Sequence, residues 1–299
     1  MNAAAELGER LAAVVALHRS GADKATVHGA QFDAGLAWVW FPEGCGGLGL
    51  SGDLQDMIDS TLAAEGVPTF DETSGIAVAM SAPTLAMFGT VEQQQRHLRR
   101  IFTGEEVWCQ LFSEPGHGSD LAGLATRAER DGDDWVISGQ KVWTSYAAIA
   151  DFALLLARHD PELPKHRGLT YFIVDMRSAG IETRPLREMT GDGQFSEVFL
   201  TDVRIPDANR VGAVGDGWRA SMGTLANERA GRGDPLGAGA IDHALRVWHE
   251  RGGTAAQRDR LVGNWVRSEV VRLLGERAHS LRQQGGVGPE GSVAKLASA

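Results

Sequence analysis

The feature that most limits how this chain can fold is a change of residue pattern after residue 106. Before that point, apolar residues recur at helical spacing, as in the stripe that begins with Leu7 and Leu11. Seven short runs rich in β-branched and aromatic residues follow, and helical spacing returns only from Gly217. Because long helices do not alternate with these runs, the pattern argues against a doubly wound parallel sheet. The seven runs are residues 107–112, 125–129, 135–138, 153–158, 169–175, 181–185 and 195–200.

The three segments predict an α+β multidomain protein. We expect an N-terminal α-helical domain over residues 1–106, a central antiparallel β-sandwich or barrel domain over 107–212, and a partial C-terminal helical bundle over 213–299. Within the first segment, Thr90 followed by Gln93 predicts a capping box at the start of a helix.

Composition excludes several classes of function. The chain carries 39 acidic and 29 basic residues, and its net charge of -10 comes without any Lys/Arg block, which argues against a nucleic-acid partner. The two cysteines, Cys45 and Cys109, form no metal or redox motif, and the nine histidines show no metal-binding spacing. The N-terminus lacks a signal peptide and no apolar run is long enough for a membrane span, so we expect a cytoplasmic protein.

A loop over residues 110–120 has the composition of a ligand-binding loop. Pro115 and two glycines break the strand that precedes them. Gly116 and Gly118 let the backbone approach a ligand closely and turn its N–H groups toward it, which suits a phosphate or the polar edge of an isoalloxazine. The alternative is an ordinary loop between two strands.

The segment Gly139–Ser145 offers two further ligand-binding groups. Trp143 provides a flat face for stacking on an aromatic cofactor, and Thr144 provides a hydroxyl beside it. A regular strand sends adjacent side chains to opposite faces, but a bulge or the strand end would let both residues serve one ligand. The alternative is that Trp143 is a core aromatic residue.

Taken together, these segments resemble the signature of the flavin-dependent acyl-CoA dehydrogenases. The motif is Ser113-Glu-Pro-x-x-Gly-Ser-Asp120, then Gly139-x-Lys-x-Trp-x-Ser145, then Ala150-Asp151. The glycine-rich loop Phe41–Gly49 and the stretch Val198–Gly212 are also similar, so the resemblance covers nearly the whole chain. It implies FAD as cofactor and α,β-desaturation of an acyl-CoA, an oxidoreductase reaction of fatty-acid and lipid metabolism. It also implies an oligomer and an electron-transfer flavoprotein as the electron acceptor.

The resemblance assigns cofactor roles to individual residues. Trp143 would pack on the isoalloxazine, Thr144 would hydrogen-bond around the hydride-accepting nitrogen N5, and Ser145 would support the same edge. Ser119 would lie near both the flavin and the acyl-CoA. The full set implied to line the flavin is Gln110, Leu111, Phe112, Ser113, Gly118, Ser119, Trp143, Thr144 and Ser145.

The resemblance also implies a catalytic base in the segment Leu225–Ala230. Glu228 matches the base of branched-chain and long-chain members, while Leu225 and Arg229 match positions that contact the substrate. The α-proton of a thioester is weakly acidic, so a carboxylate must remove it, and partial desolvation strengthens such a base. The alternative from the residues alone is a solvated Glu-Arg pair on a helix.

A competing motif is Gly44-x-Gly46-x-x-Gly49, which follows the strand-like residues Trp38–Phe41 and precedes a helix. Pro42-Glu43 separates those residues from the glycines and no second parallel strand follows, so a nicotinamide-binding fold is disfavoured.

The chain departs from the family pattern in two places. The stretch 250–259 lacks the family's Arg-x-x-Phe-Gly element, for which Arg251 or Arg258 would have to substitute. Ser292–Leu296 resembles a helix from the middle of the family's C-terminal bundle, which implies a C-terminally truncated chain. Two other functions therefore remain open: a non-catalytic or structural subunit of a hetero-oligomeric acyl-CoA dehydrogenase, or a flavin monooxygenase-type relative.

Overall fold

The computed structural model of the chain describes residues 3–68, 70–191, 193–230, 238–283 and 288–298. The chain divides into two units, Met1–Thr224 and Leu225–Ala299. The first unit holds the predicted helical and β segments together, so the domain boundaries drawn at residues 106 and 212 stay predictions.

Five α-helices open the first unit. They are α1 (Ala3–Arg19), α2 (Lys24–Asp33), α3 (Leu54–Ala64), α4 (Ala82–Phe88) and α5 (Val91–Thr103), with a short π-helix (Ala77–Ser81) before α4. The predicted capping box is confirmed, because Thr90 and Gln93 hydrogen-bond each other's backbone at the start of α5. Gly104 ends α5 in the left-handed conformation, at a φ of 79°. The first three helices bury one apolar core that includes Leu7, Leu11 and Ile58.

The described part of the chain contains eight strands: β1 (Trp108–Leu111), β2 (Arg127–Asp131), β3 (Asp134–Ser145), β4 (Phe152–Arg158), β5 (Leu169–Asp175), β6 (Ile181–Pro185), β7 (Phe195–Pro206) and β8 (Arg210–Val211). They form one mixed sheet in the order β6-β7-β3-β2-β4-β5-β8, with β1 paired to β4. Most neighbouring strands are antiparallel, as predicted, but β1 pairs with β4 in parallel, and β2 makes one parallel contact with β4. The chain leaves β1 and crosses β2 and β3 before returning as β4, and such a crossover permits parallel pairing.

Helix α6 (Gly217–Ala230) begins in the first unit. Gly217 starts the helix against β5, where an added Cβ would lie 2.6 Å from backbone atoms of Leu169 and Thr170. At the last residue of the first unit, the Thr224 hydroxyl lies 2.8 Å from that of Thr84 and 2.9 Å from that of Tyr171. These buried hydroxyls fasten α6 to α4 and to the sheet.

The second unit contains the end of α6, then α7 (Ala238–Arg251), α8 (Ala255–Gln283) and α9 (Glu290–Ser298). The sequence predicts an interruption at Gly231–Pro235, which lies outside the described residues. Along α8, Trp265, Val270 and Leu273 are exposed. None of the helices in the described ranges is long and apolar enough to cross a membrane.

Candidate functional site

A bulge in β3 gives two adjacent residues that are predicted to bind flavin, Trp143 and Thr144, different exposures. The pairing of β3 with β7 shifts between Lys141 and Thr144, and Trp143 adopts a left-handed φ of 60°. The Trp143 side chain is consequently 61% exposed, whereas Thr144 is only 1% exposed. The bulge that the sequence allowed is therefore present. A left-handed conformation costs a residue with a side chain about 1–2 kcal/mol, so the surrounding structure must enforce it.

Two buried polar atoms in the segments predicted to bind flavin lack partners among the described residues. Within the part of the chain that the structure describes, neither the Thr144 hydroxyl nor the Gln110 side-chain oxygen has a hydrogen-bond partner. An unsatisfied buried polar group costs about 1–3 kcal/mol, so such groups usually have a partner that the protein alone does not supply. Thr144 directly follows the exposed Trp143 in the sequence, so its hydroxyl fits the polar edge of a planar ligand such as an isoalloxazine.

The loop over residues 113–120 is a tight turn next to the bulge. Glu114 and His117 exchange two backbone hydrogen bonds of 3.0 Å, and the glycines at 116 and 118 face open space. Asp120 anchors the far end of the loop through a 2.7 Å ion pair with Lys165, and this hydrogen bond lowers the pKa of its carboxyl. Ser113 is half-buried, while Gly118 and Ser119 are exposed, so the tip of the loop is accessible to a ligand.

Lys141 lies within the segment Gly139–Ser145, but no role was predicted for it from the sequence. Its side chain is fully buried, and its ammonium group donates to Glu114 at 2.9 Å and to the carbonyls of Phe112 and Leu156. A signal was present: Lys141 shares the two-residue period of the buried Trp135 and Ile137 along β3.

The residues predicted to act on the substrate lie mainly in the second unit. Leu225 is half-buried, and the side chain of Arg229 lies outside the described set. Glu228 keeps 35% of its side-chain exposure and accepts a 2.7 Å hydrogen bond from Lys295 on α9. Its neighbour Asn227 has a buried amide nitrogen with no partner among the described residues.

The competing nicotinamide-binding interpretation finds no support in the structure. Residues 38–41, which resemble a strand, instead form a turn that closes onto the glycine-rich loop, with Gly46 accepting from Trp38 and Ala37. Gly47 packs where a Cβ would lie 2.2 Å from the Phe41 carbonyl, so this glycine serves chain packing. Among the described residues no cluster of His, Cys, Asp and Glu could hold a metal ion.

Comparison with known proteins identifies the family to which the chain belongs. Residues 3–105 match the acyl-CoA dehydrogenase N-terminal domain, and residues 109–203 match the acyl-CoA dehydrogenase middle domain. The acyl-CoA dehydrogenase IpdE1 of Mycolicibacterium smegmatis is 36% identical over 88% of this chain and 69% of its own length. The chain therefore belongs to the acyl-CoA dehydrogenase family, whose members are oxidoreductases that bind FAD.

Two further relatives agree. The acyl-CoA dehydrogenase FadE34 of Mycobacterium tuberculosis is 46% identical over 84% of this chain, and the chain spans 35% of the length of FadE34. The crystal structure of the ChsE4-ChsE5 complex from Mycobacterium tuberculosis has a similar fold, with a TM-score of 0.71 and 30% identity. That similarity covers 98% of this chain and 79% of the other.

Proposed function

We propose that this chain is an FAD-dependent acyl-CoA dehydrogenase that catalyses α,β-desaturation of an acyl-CoA thioester. The observation that carries the proposal is the pairing of an exposed Trp143 with the buried, unpartnered hydroxyl of Thr144 at the β3 bulge. Membership of a family whose proteins bind FAD identifies the ligand that these groups fit.

The cofactor would be held by two segments of the first unit. Trp143 would stack on one face of the isoalloxazine, and the Thr144 hydroxyl and Ser145 would hydrogen-bond its N5 edge. The remaining contacts would come from β1 and the loop that follows, through Gln110, Leu111, Phe112, Ser113, Gly118 and Ser119. Bound FAD would supply hydrogen-bond partners to the Gln110 side-chain oxygen and the Thr144 hydroxyl, and these bonds would favour the bound state.

Glu228 would act as the base. Its carboxylate would take the proton from Cα of the acyl group, and Ser119, Leu225 and Arg229 would contact the substrate. When bound, the flavin supplies the oxidant, accepting the β-hydrogen with its electron pair so that the Cα–Cβ double bond forms. Before substrate binds, the Glu228 carboxylate is paired with Lys295 at 2.7 Å. An electron-transfer flavoprotein would then remove the electrons.

Absorption spectroscopy tests this proposal directly. The purified protein should show the visible bands of oxidised flavin, and these should bleach when an acyl-CoA is added without oxygen. No anaerobic bleaching by any acyl-CoA, together with oxygenation of a substrate when reduced flavin and oxygen are supplied, would instead indicate the flavin monooxygenase-type relative. A protein that neither holds FAD nor oxidises any acyl-CoA, alone or with a candidate partner chain, would refute the proposal.

Replacing the base gives a second test. Glu228→Gln keeps the shape of the side chain but removes its basicity, so the anaerobic bleaching rate should fall by about 10²–10⁴-fold. FAD content should not change. Lys295→Gln is the matched control, since it removes the partner of Glu228 and keeps the carboxylate, and it should retain most of the rate. Full turnover in Glu228→Gln would make the assignment of the base wrong.

A second candidate function is that of a non-catalytic subunit in a hetero-oligomeric acyl-CoA dehydrogenase. The similarity to a solved complex of two differently named chains favours it. In that case, FAD binding and turnover would appear only after a partner chain is added.

A further inference from the structure

Lys141 is a fully buried lysine that the proposed chemistry does not use. All three of its ammonium donors are engaged, by the Phe112 carbonyl at 3.1 Å, the Leu156 carbonyl at 2.9 Å and Glu114 Oε1 at 2.9 Å. Phe112 is the last residue before the 113–120 loop, and Glu114 is in that loop. Lys141 thus ties β3 and β4 to the start of the loop.

Glu114 continues the connection to the chain beyond the loop. Its carboxylate accepts from the backbone N–H of Ala125 at 2.7 Å and of Thr126 at 2.9 Å, and also from the Thr126 hydroxyl. Thr126 can approach because Gly139 of β3 has no side chain there; an added Cβ would lie 2.4 Å from the Thr126 hydroxyl. A single carboxylate therefore connects the start of the loop to the segment beyond its end.

The backbone reinforces this link one residue further along β3. The Val142 N–H donates to the Ser113 carbonyl at 2.9 Å, and the next residue, Trp143, enters the left-handed conformation of the bulge. Lys141 and Val142 therefore fix the loop immediately before the chain presents Trp143 and Thr144. The two segments proposed to hold the flavin are joined through the buried Lys141–Glu114 ion pair, the Lys141–Phe112 hydrogen bond and the Val142–Ser113 backbone hydrogen bond.

Stability alone does not explain a pair of this kind. Removing two charges from water carries a large desolvation cost, and well-packed apolar residues in place of a buried ion pair are often equally or more stabilising. Such a pair does offer fixed geometry, because each donor and acceptor has one direction. Here the Lys141–Glu114 pair fixes the position of one ligand-binding segment relative to the other.

We propose that Lys141 and Glu114 are positioning residues that fix the 113–120 loop against the Trp143–Ser145 segment and so determine how tightly FAD is bound. This inference rests on the proposed function. Neither residue needs to touch the cofactor, since both act through Ser113, Trp143 and Thr144.

The experiment compares Lys141→Met and Glu114→Gln with Glu106→Gln. Glu106 is another buried carboxylate of the same unit; it accepts from Arg96, His97 and the Trp108 indole, none of which belongs to the 113–120 loop or to the Trp143–Ser145 segment. The measurements are the FAD dissociation constant, the circular dichroism of bound FAD, the melting temperature, and hydrogen exchange at the Val142 and His117 amides without flavin.

Lys141→Met and Glu114→Gln should each weaken FAD binding at least tenfold at a temperature where the protein is fully folded. Both should also change the flavin dichroism and speed exchange at Val142 and His117. Glu106→Gln should lower the melting temperature and leave the other three readouts unchanged. Lys141→Arg, which keeps the charge but not the three-point geometry, should give an intermediate loss of affinity and serves if Lys141→Met does not fold.

Two results would overturn the proposal. One is a lower melting temperature in the Lys141 and Glu114 variants with unchanged FAD affinity and unchanged exchange, which would make the pair merely structural. The other is an equal loss of FAD affinity in Glu106→Gln. If the wild-type protein binds no FAD, the proposed function fails, whereas exchange in the flavin-free protein still decides whether the pair orders the loop.

Discussion

Thr144 has a hydroxyl that the folded chain buries without a partner in the described residues. Thr144→Val removes this hydroxyl at nearly constant volume, so the flavin-free protein should gain about 1 kcal/mol in its free energy of unfolding. FAD binding should weaken about five- to tenfold, because the N5 edge loses a donor. Urea unfolding of the flavin-free protein and FAD titration measure these opposite effects.

Thr144→Ser is the matched control for that prediction. It keeps the hydroxyl, so its FAD affinity should stay within about twofold of the wild type. Lower stability in Thr144→Val combined with unchanged FAD affinity would mean that the hydroxyl has a partner inside the protein.

Because of Lys141, we expect the free energy of unfolding and the FAD affinity to change in opposite directions as the pH rises. Burial lowers the pKa of Lys141 from 10.5 to about 8. The negative charge of Glu114 acts in the opposite direction and raises this pKa. Among the described residues, Glu114 is the ionisable side chain that contacts the ammonium group. Between these values the unfolded chain holds a proton that the folded chain has released, so Lys141 makes the free energy of unfolding rise with pH. Over the same interval the ion pair is lost, so FAD binding should weaken.

The measurement is urea unfolding and FAD titration from neutral pH to pH 10.5, with Lys141→Met as the reference. As the pH rises, the free energy of unfolding of the wild type should increase relative to that of Lys141→Met. Over the same range, the FAD affinity of the wild type should decrease relative to that of the variant. If the free energy of unfolding and the FAD affinity of the wild type both decreased as the pH rises, the charged pair would be a net stabiliser of the fold, and this prediction would be wrong.

Single residues differed in how readily the sequence revealed them. Trp143 and Thr144 stand in a local motif whose spacing is visible in the chain. Lys141 stands in the same motif, but its burial was not predicted, because a lysine is almost never fully buried unless paired. Its partner Glu114 is 27 residues away and reaches it only through the folded sheet.

At the scale of elements, the bulge in β3 holds Trp143 in a conformation that favours glycine. Trp143→Gly should therefore be more stable than Trp143→Ala by about 1 kcal/mol, since only glycine relieves the left-handed strain. Both variants should bind FAD about tenfold more weakly than wild type, because both lose the stacking face. Urea unfolding and FAD titration of the pair separate backbone strain from cofactor stacking. Equal stability of the two variants would mean that the bulge is not strained.

Local signals predicted most elements, and long-range pairing limited the rest. Helix α5 follows from its own caps, Thr90 with Gln93 at the start and Gly104 at the end. The parallel pairing of β1 with β4 could not be predicted, because it depends on where strands 44 residues apart meet, as Trp108 and Phe152 do. Those strands look alike in sequence whichever way they pair.

At the scale of the first unit, the N-terminal helices and the sheet are joined by Gln93 of α5. Its side-chain nitrogen donates to the carbonyls of Ala208 at 2.7 Å and Arg210 at 3.0 Å, while its oxygen accepts from the Thr90 N–H. A buried residue that closes a capping box and bonds to the sheet should make helices and strands unfold together.

Gln93→Ala tests that cooperativity. The variant loses the capping partner and leaves two carbonyls without a donor, so the free energy of opening should fall by about 2–3 kcal/mol. Native-state hydrogen exchange should record the same fall at the most protected amides of α5 and of β3, if the two parts open as one. Gln95→Ala, at an exposed position of the same helix, should change neither by more than about 0.5 kcal/mol. A fall confined to α5 would show that the helices open independently of the sheet, and the N-terminal boundary at residue 106 would then separate two folding units.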